Sequence, residues 1–118
     1  MRKVIFAILM ATLPLSASTG DEAVQFRQTR YLYELCTNED DVAAMGCASY
    51  IAGVADAVGT LNAWKLSSAR ICEGGENITV EVLKSVFIDF IKKNPEDIDD
   101  GAASVVVRAF ADAFPCQS

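Results

Sequence analysis

The chain has 118 residues, of which 52% are hydrophobic and 22% charged, enough for one domain with a core of modest size. It carries 10 Lys and Arg against 16 Asp and Glu, a formal net charge of −6. An acidic surface repels nucleic acid and anionic membranes, which argues against both as partners. The charge would attract a basic protein, or it serves solubility alone.

The first twenty residues have the order of a secretory signal peptide. Arg2 and Lys3 are basic, residues 4–15 are almost wholly apolar, and a small polar stretch follows. A transmembrane anchor is the competing interpretation, but twelve apolar residues span only about 18 Å as a helix, against about 30 Å of hydrocarbon. We expect cleavage within residues 17–20. If it follows residue 20, the exported domain is residues 21–118, with 8 basic and 16 acidic residues and a net charge of −8.

Beyond this start, apolar residues recur at spacings of three and four, which predicts an all-α domain. The first helix is predicted over residues 21–35. Its apolar side consists of Phe26, Tyr31, Leu32 and Leu35. A polar turn is predicted at residues 37–41.

The second and longest helix is predicted over residues 40–64. Its core face consists of Tyr50, Ile51, Val54, Val58, Leu61 and Trp64. The opposite side carries a stripe of small and polar residues, namely Gly46, Ser49, Gly53, Asp56 and Thr60. Such a stripe would allow close approach of another helix, or it is a solvated face. Asp56 has no capping role inside the helix, which makes it a candidate for partner binding; a solvated side chain is the alternative.

An irregular acidic loop is predicted at residues 67–77, followed by a third helix that Thr79 caps and that ends at Asn94 and Pro95. The core stripe of this helix consists of Val80, Leu83, Val86, Phe87, Phe90 and Ile91. Lys92 and Lys93 lie at its negative end. Ile88 is predicted on the polar face.

A second acidic loop, residues 96–100, precedes a last helix predicted over residues 101–114, with Asp99 or Asp100 as its cap. The predicted inward residues are Ala103, Val106, Val107, Phe110 and Phe114. Val105 points outward in this register, and Arg108 pairs with Asp112 one turn later. The four helices suit a small antiparallel bundle.

Four cysteines in a short exported chain predict two disulfides. Cys36 ends the first helix and Cys47 lies near the start of the second, so an antiparallel bundle places both at one end. Cys72 and Cys116 follow the second and fourth helices and lie at the other end. The predicted pairs are therefore Cys36–Cys47 and Cys72–Cys116. A zinc site is the alternative, but the chain has no His and the cysteine spacings fit no zinc pattern.

Groups able to carry catalysis are scarce. Without His, and with the cysteines oxidised, neither a Ser-His nor a Cys-His pair can form. Paired carboxylates could do glycosidase-like work, but the acids cluster at helix starts and in the two loops, where capping and solvation explain them. We predict no catalytic residue, no metal and no cofactor, and a protein that is not an enzyme.

Several segments carry a family resemblance: CASYIAGVADA at residues 47–57, NPE at 94–96, AASVVVRAF at 102–110 and FPC at 114–116. Together with Cys36 and Cys72 they extend over nearly all of the exported chain. In combination they resemble the Rap/Tai family of immunity proteins, which bacteria use against peptidoglycan amidases delivered by type VI secretion.

The resemblance implies a periplasmic, helical, disulfide-bonded protein, often dimeric, that binds a toxic amidase and blocks its active-site groove. We expect an acidic loop to enter a basic cleft of that partner, with the net charge steering the encounter. The candidate partner-binding residues are Glu73, Glu76, Asn77, Asp97, Asp99, Asp100 and Asp56. The small-residue stripe with Ile88 and Val105 is either a homodimer surface or a set of scattered exposed apolar residues. No contact with a membrane is expected after signal cleavage.

Two other functions stay open. A periplasmic acid-stress chaperone is one, because protonating 16 acids removes charge repulsion and helix-capping interactions. The absence of His argues against a switch near neutral pH. The other is a small-ligand-binding helical protein with a cavity between its helices.

Overall fold

The computed structural model describes residues 26–67, 71–72 and 78–116. The helices are α1 (Thr29–Thr37), α2 (Asp41–Ala63), α3 (Val80–Lys93) and α4 (Ala102–Ala113). A 3-10 helix, Pro95–Asp99, joins α3 to α4. Within the described ranges, an isolated antiparallel β-bridge joins Gln28 to Gly101. The predicted all-α fold is confirmed, and the predicted signal peptide lies outside the described residues.

Side-chain caps begin two of the helices. Asp40 accepts hydrogen bonds from the backbone N–H groups of Val42 and Ala43, both at 3.1 Å. Thr79 accepts one from Val82 at 3.3 Å, which confirms its predicted capping role. Each bond satisfies a backbone donor that the first helical turn leaves without a partner.

The C-terminal end of α2 is closed by two backbone hydrogen bonds. Leu66 donates to the carbonyl of Leu61 at 2.9 Å, and Lys65 donates to that of Asn62 at 3.0 Å. This Schellman arrangement requires a left-handed residue after the helix, usually glycine. Lys65 occupies this left-handed position, with a φ of 57°.

The core lies where the four helices meet, and every pair of helices is in contact. Its largest fully buried apolar side chains are Leu32, Ile51, Phe87, Val105, Val106 and Phe110. Each helix contributes at least one of them. Burial of such side chains contributes about 1.5 to 3 kcal/mol each, which makes this cluster the main source of stability.

Both predicted disulfides are confirmed, Cys36–Cys47 and Cys72–Cys116. Cys36 and Cys47 join α1 to α2 and belong to the core cluster. Cys72 and Cys116 join the segment after α2 to the segment after α4.

The predicted apolar faces of the first two helices are wrong at their ends. The first helix begins at Thr29, so Phe26 precedes it and is 90% exposed. Tyr31 is also exposed. Leu61 and Trp64 lie in the last turn and cap of α2, beyond the packed part of the bundle, and both are exposed.

The predicted inward face of the last helix is partly wrong, although Val106 and Phe110 are fully buried as predicted. The inward positions of α4 are Ala102, Val105, Val106, Ala109 and Phe110, at the spacing of one helix face. Ala103 is exposed, and Val105, predicted outward, is fully buried. Ile88 of α3 packs against the core instead of lying on a polar face. Val105 and Ile88 therefore drop out of the predicted dimer surface.

Candidate partner-binding surface

The second acidic segment, residues 96–100, is an ordered turn held by two arginines, which we call the acidic turn. Arg108 of α4 contacts Asp97 at 3.3 Å and Asp100 at 2.9 Å. Arg30 of α1 contacts Asp99 at 2.9 Å. Three predicted partner-binding carboxylates thus lie together, each in an ion pair within the protein.

Two predictions about this turn are wrong. Arg108 was expected to pair with Asp112, but its guanidinium reaches back to Asp97 and Asp100. The cap of α4 is Gly101, which has no side chain to accept a hydrogen bond, so neither Asp99 nor Asp100 caps the helix. The carboxylates of Asp99 and Asp100 bind arginine side chains and not the backbone N–H groups of α4. Hydrogen bonds between two charged groups are stronger than those to a neutral backbone group.

The acidic turn keeps part of its charge. Glu96 is exposed, and within the described residues no ion pair engages it. Four carboxylates face two guanidinium groups in this region, which leaves a local excess of two negative charges. A basic partner would therefore find less free charge here than the sequence suggests.

Asp56 lies on a groove between α2, the start of α3 and the end of α4. The groove has a volume of about 550 Å³ and mostly aliphatic walls, including Ala55, Ile78 and Leu83. Asp56 is exposed at its edge. The Oδ1 atom of Asn62 is buried there without a hydrogen-bond partner among the described residues. The interior acid of α2 thus lies beside a concave apolar surface.

Glu73, Glu76 and Asn77 lie outside the described residues. The residues that flank them are placed by the structure: Ile71 and Ile78 both line the groove. Ile71 before this segment and Ile78 after it therefore lie on the same groove as Asp56.

The small-residue stripe of α2 is largely confirmed as an open surface. Ser49, Gly53, Asp56 and Thr60 are exposed, and a Cβ added at Gly53 would meet nothing within 4 Å. Gly46 differs, because a Cβ there would lie 3.5 Å from Leu35 of α1.

Two exposed apolar side chains continue this stripe toward the start of α2. Val42 is 77% exposed and Met45 is 69% exposed. By length and composition α2 is also the one described helix that could cross a membrane. Its disulfide to α1 and its contacts with the other helices make it the central element of the bundle. Sequence reasoning placed neither Val42 nor Met45 in a surface, although both fall on the helical spacing of the stripe.

Tyr50 of α2 has a pKa raised above its ordinary value. Partial burial of the phenol disfavours the charged form and is the main cause. A hydrogen bond with the backbone of Ala103 and the positive charge of Arg27 oppose the rise. Tyr50 thus joins α2 to the start of α4 through a neutral phenol.

The described residues hold no group of three or more His, Cys, Asp or Glu side chains that could bind a metal ion. What they offer is an apolar groove edged by an acid, an acidic turn and an open helix face. These are surface features of a small disulfide-bonded helical domain, of the kind that protein–protein contacts use.

The chain belongs to the family of Rap1a immunity proteins. The sequence profile of that family matches residues 28–116, which is 89 of the 118 residues. Membership in this family implies immunity against a secreted effector protein, and thus a protein partner. No curated protein and no solved structure matches the chain.

Proposed function

We propose that the protein is a periplasmic immunity protein that binds and occludes a peptidoglycan amidase delivered by type VI secretion. The observation that carries the proposal is the family match over residues 28–116. The two disulfides suit an oxidising compartment such as the periplasm. Occlusion of an active site needs no catalytic group in the inhibitor, so we propose a binding protein and not an enzyme.

We propose the groove side of the protein as the contact surface. The proposed surface takes Asp56, exposed at the groove edge, and extends to Glu73 and Glu76, because Ile71 and Ile78 on either side of that segment line the groove. Asp97, Asp99 and Asp100 already bind Arg30 and Arg108, so a basic partner would compete with internal ion pairs at the acidic turn. An exposed acid beside an apolar groove gives a partner both charge attraction and surface to bury.

Charge reversal tests this surface against the acidic turn. We expect Asp56→Lys, and separately the double variant Glu73→Lys with Glu76→Lys, to weaken binding to the cognate amidase about tenfold, mainly through slower association at low salt. Glu96→Lys is the matched change at the acidic turn, and Glu39→Lys is the control on the turn before α2, where the side chain is exposed.

Binding is measured by biolayer interferometry at two salt concentrations. Loss of affinity in Glu96→Lys with no loss in the groove variants would move the contact to the acidic turn. Equal affinity in all variants would reject charge steering.

A rescue assay tests function and compartment together. The full chain is expressed with a candidate Cys-His amidase directed to the periplasm, and lysis is scored by culture density. We expect rescue by the full chain and none by a chain that lacks residues 1–20. Rescue without these residues would contradict the periplasmic site, and lysis despite the full chain would exclude that amidase as the target.

We also propose that the open stripe of α2 forms a homodimer. The supporting observation is that Val42, Met45 and Gly53 present an apolar, closely approachable helix face. Gly53→Arg adds a large side chain where the monomer has open space, so the fold is retained and close helix approach is blocked. Sedimentation should show a dimer for the parent chain and a monomer for Gly53→Arg. Gly59→Arg, at another open glycine of α2, is the control and should stay dimeric.

A further inference from the structure

The two disulfides differ in their access to solvent. Cys36 is 3% exposed and Cys47 is 0% exposed, within a core cluster that includes Leu32 and Ile51. Cys72 is exposed and Cys116 is half-buried. A thiolate can attack a disulfide only if it can reach a sulfur atom in line with the S–S bond. Solvent access therefore favours attack on the Cys72–Cys116 pair.

Cys72 and Cys116 also line a cavity that a reagent can enter. The cavity measures about 550 Å³, and its described lining includes Asn62, Lys65 and Ile71. The disulfide at the C-terminal end of the chain is thus part of the wall of a concave site.

Lys65 gives this cavity a positive charge. Its backbone has a φ of 57°, a left-handed conformation that costs a residue with a Cβ free energy and favours glycine. A cation near a cysteine stabilises the thiolate, which is both the attacking and the leaving species in disulfide exchange.

We propose that the Cys72–Cys116 pair is a thiol–disulfide exchange site for a small dithiol, with Lys65 assisting the thiolate. One thiolate of the dithiol attacks a sulfur of the pair, forms a mixed disulfide and releases the other cysteine as a thiolate. The second thiol of the reagent then displaces the first cysteine. The reagent ends as a cyclic disulfide, two electrons pass to the protein, and both cysteines take up the protons that the dithiol released.

Reduction loosens one end of the protein and leaves the rest in place. The backbone N–H of Cys72 donates to the carbonyl of Phe114 at 3.0 Å, a noncovalent link that remains between the two segments. The Cys36–Cys47 pair is a separate link between α1 and α2, and both of its cysteines are buried in the core cluster. The exchange therefore acts on the segments that border the groove, since Ile71 and Phe114 both line it.

Timed reduction of the oxidised protein tests the site without any partner protein. The protein is treated with dithiothreitol at pH 7, quenched with iodoacetamide, and its peptides are analysed by mass spectrometry. We expect Cys72 and Cys116 to be alkylated at least tenfold faster than Cys36 and Cys47, with the helical circular dichroism signal retained. Equal rates for the two pairs, or faster reduction of Cys36–Cys47, would overturn the proposal.

A lysine variant tests the assisting charge. Lys65→Asn removes the charge and keeps a residue that tolerates the left-handed backbone. We expect it to slow reduction of Cys72–Cys116 about two- to fivefold at low salt, with the difference abolished at high salt. Lys93→Asn, at the end of α3, is the charge-matched control and should react like the parent chain. A parent-like rate for Lys65→Asn at low salt would remove Lys65 from the site.

Discussion

Thr29 donates two hydrogen bonds to the carbonyl oxygen of Asp100, one from its backbone N–H and one from Oγ1, both at 2.9 Å. Thr29 is fully buried and is the one polar side chain in the described core. The two residues are 71 positions apart. Their contact fixes the start of α1 to the entry of α4, beside the bridge between Gln28 and Gly101.

Thr29→Val should lower the free energy of unfolding by about 1 kcal/mol, because it removes the hydroxyl donor and keeps the shape of the side chain. The carbonyl of Asp100 retains its bond from the backbone N–H, which limits the loss. Urea unfolding followed by circular dichroism measures the difference. Thr29→Ser keeps the hydroxyl and serves as the comparison. A valine variant as stable as the parent chain would show that the hydroxyl bond contributes nothing net.

Arg108→Gln should destabilise the protein by about 1 kcal/mol at low salt, and by less at high salt. The variant leaves Asp97, whose side chain is 14% exposed, without its cation, and it removes the pair with Asp100. Arg30→Gln removes a pair whose members are both largely exposed, so its cost should be smaller. Thermal unfolding at 50 and 500 mM NaCl, roughly 14 and 4 Å in screening length, separates the two cases. An effect of Arg108→Gln that does not depend on salt would point to lost packing instead of lost charge pairs.

Stability should fall in alkaline solution partly because of Tyr50. A pKa raised in the folded state means that folding favours the protonated phenol. The resulting stability is complete below the ordinary tyrosine pKa of about 10 and is lost as the pH rises through the raised value. Tyr50→Phe should therefore flatten the decline in unfolding free energy above pH 10. Tyr31→Phe, at an exposed tyrosine, is the control for the loss of a phenol hydroxyl.

Lys65→Gly should raise the free energy of unfolding by about 0.5 to 1 kcal/mol. Glycine adopts the left-handed conformation at little cost, and this gain exceeds the extra entropy that glycine gives the unfolded chain. Lys65→Ala keeps a Cβ and should stay close to the parent chain. If Lys65→Ala and Lys65→Gly stabilised the protein equally, the lysine side chain, and not the left-handed backbone, would be the source of the lost stability.

Helical periodicity predicted the central parts of the helices, and the positions of the cysteines at the ends of an antiparallel bundle predicted both disulfides. Ile51, Phe87 and Phe110 are buried as their spacing requires. The errors at the ends of the first two helices arise because a period does not say where the neighbouring helices stop. Trp64 continues the period of α2 and yet is 67% exposed, since it lies at the helix cap.

The ion pairs of the acidic turn lay beyond sequence reasoning for a different reason. Arg30 and Asp99 are 69 positions apart, and no local rule connects them. Local rules favoured Asp112 as the partner of Arg108, four residues away, but tertiary packing placed two other carboxylates within reach. The strain at Lys65 was likewise hidden, because lysine gives no sign of a left-handed backbone.

The contact between Thr29 and Asp100 also constrains the order of folding during synthesis. The disulfide between Cys36 and Cys47 closes a loop of 11 positions and can form while the chain is short. The hydrogen-bond acceptor of Thr29, the carbonyl of Asp100, is synthesised 71 residues later. Until then α1 and α2 can pair only with each other, because the contact between Thr29 and Asp100 joins residues far apart in the sequence. A nascent or truncated chain that ends before residue 100 would present the core face of α1 to chaperones and proteases.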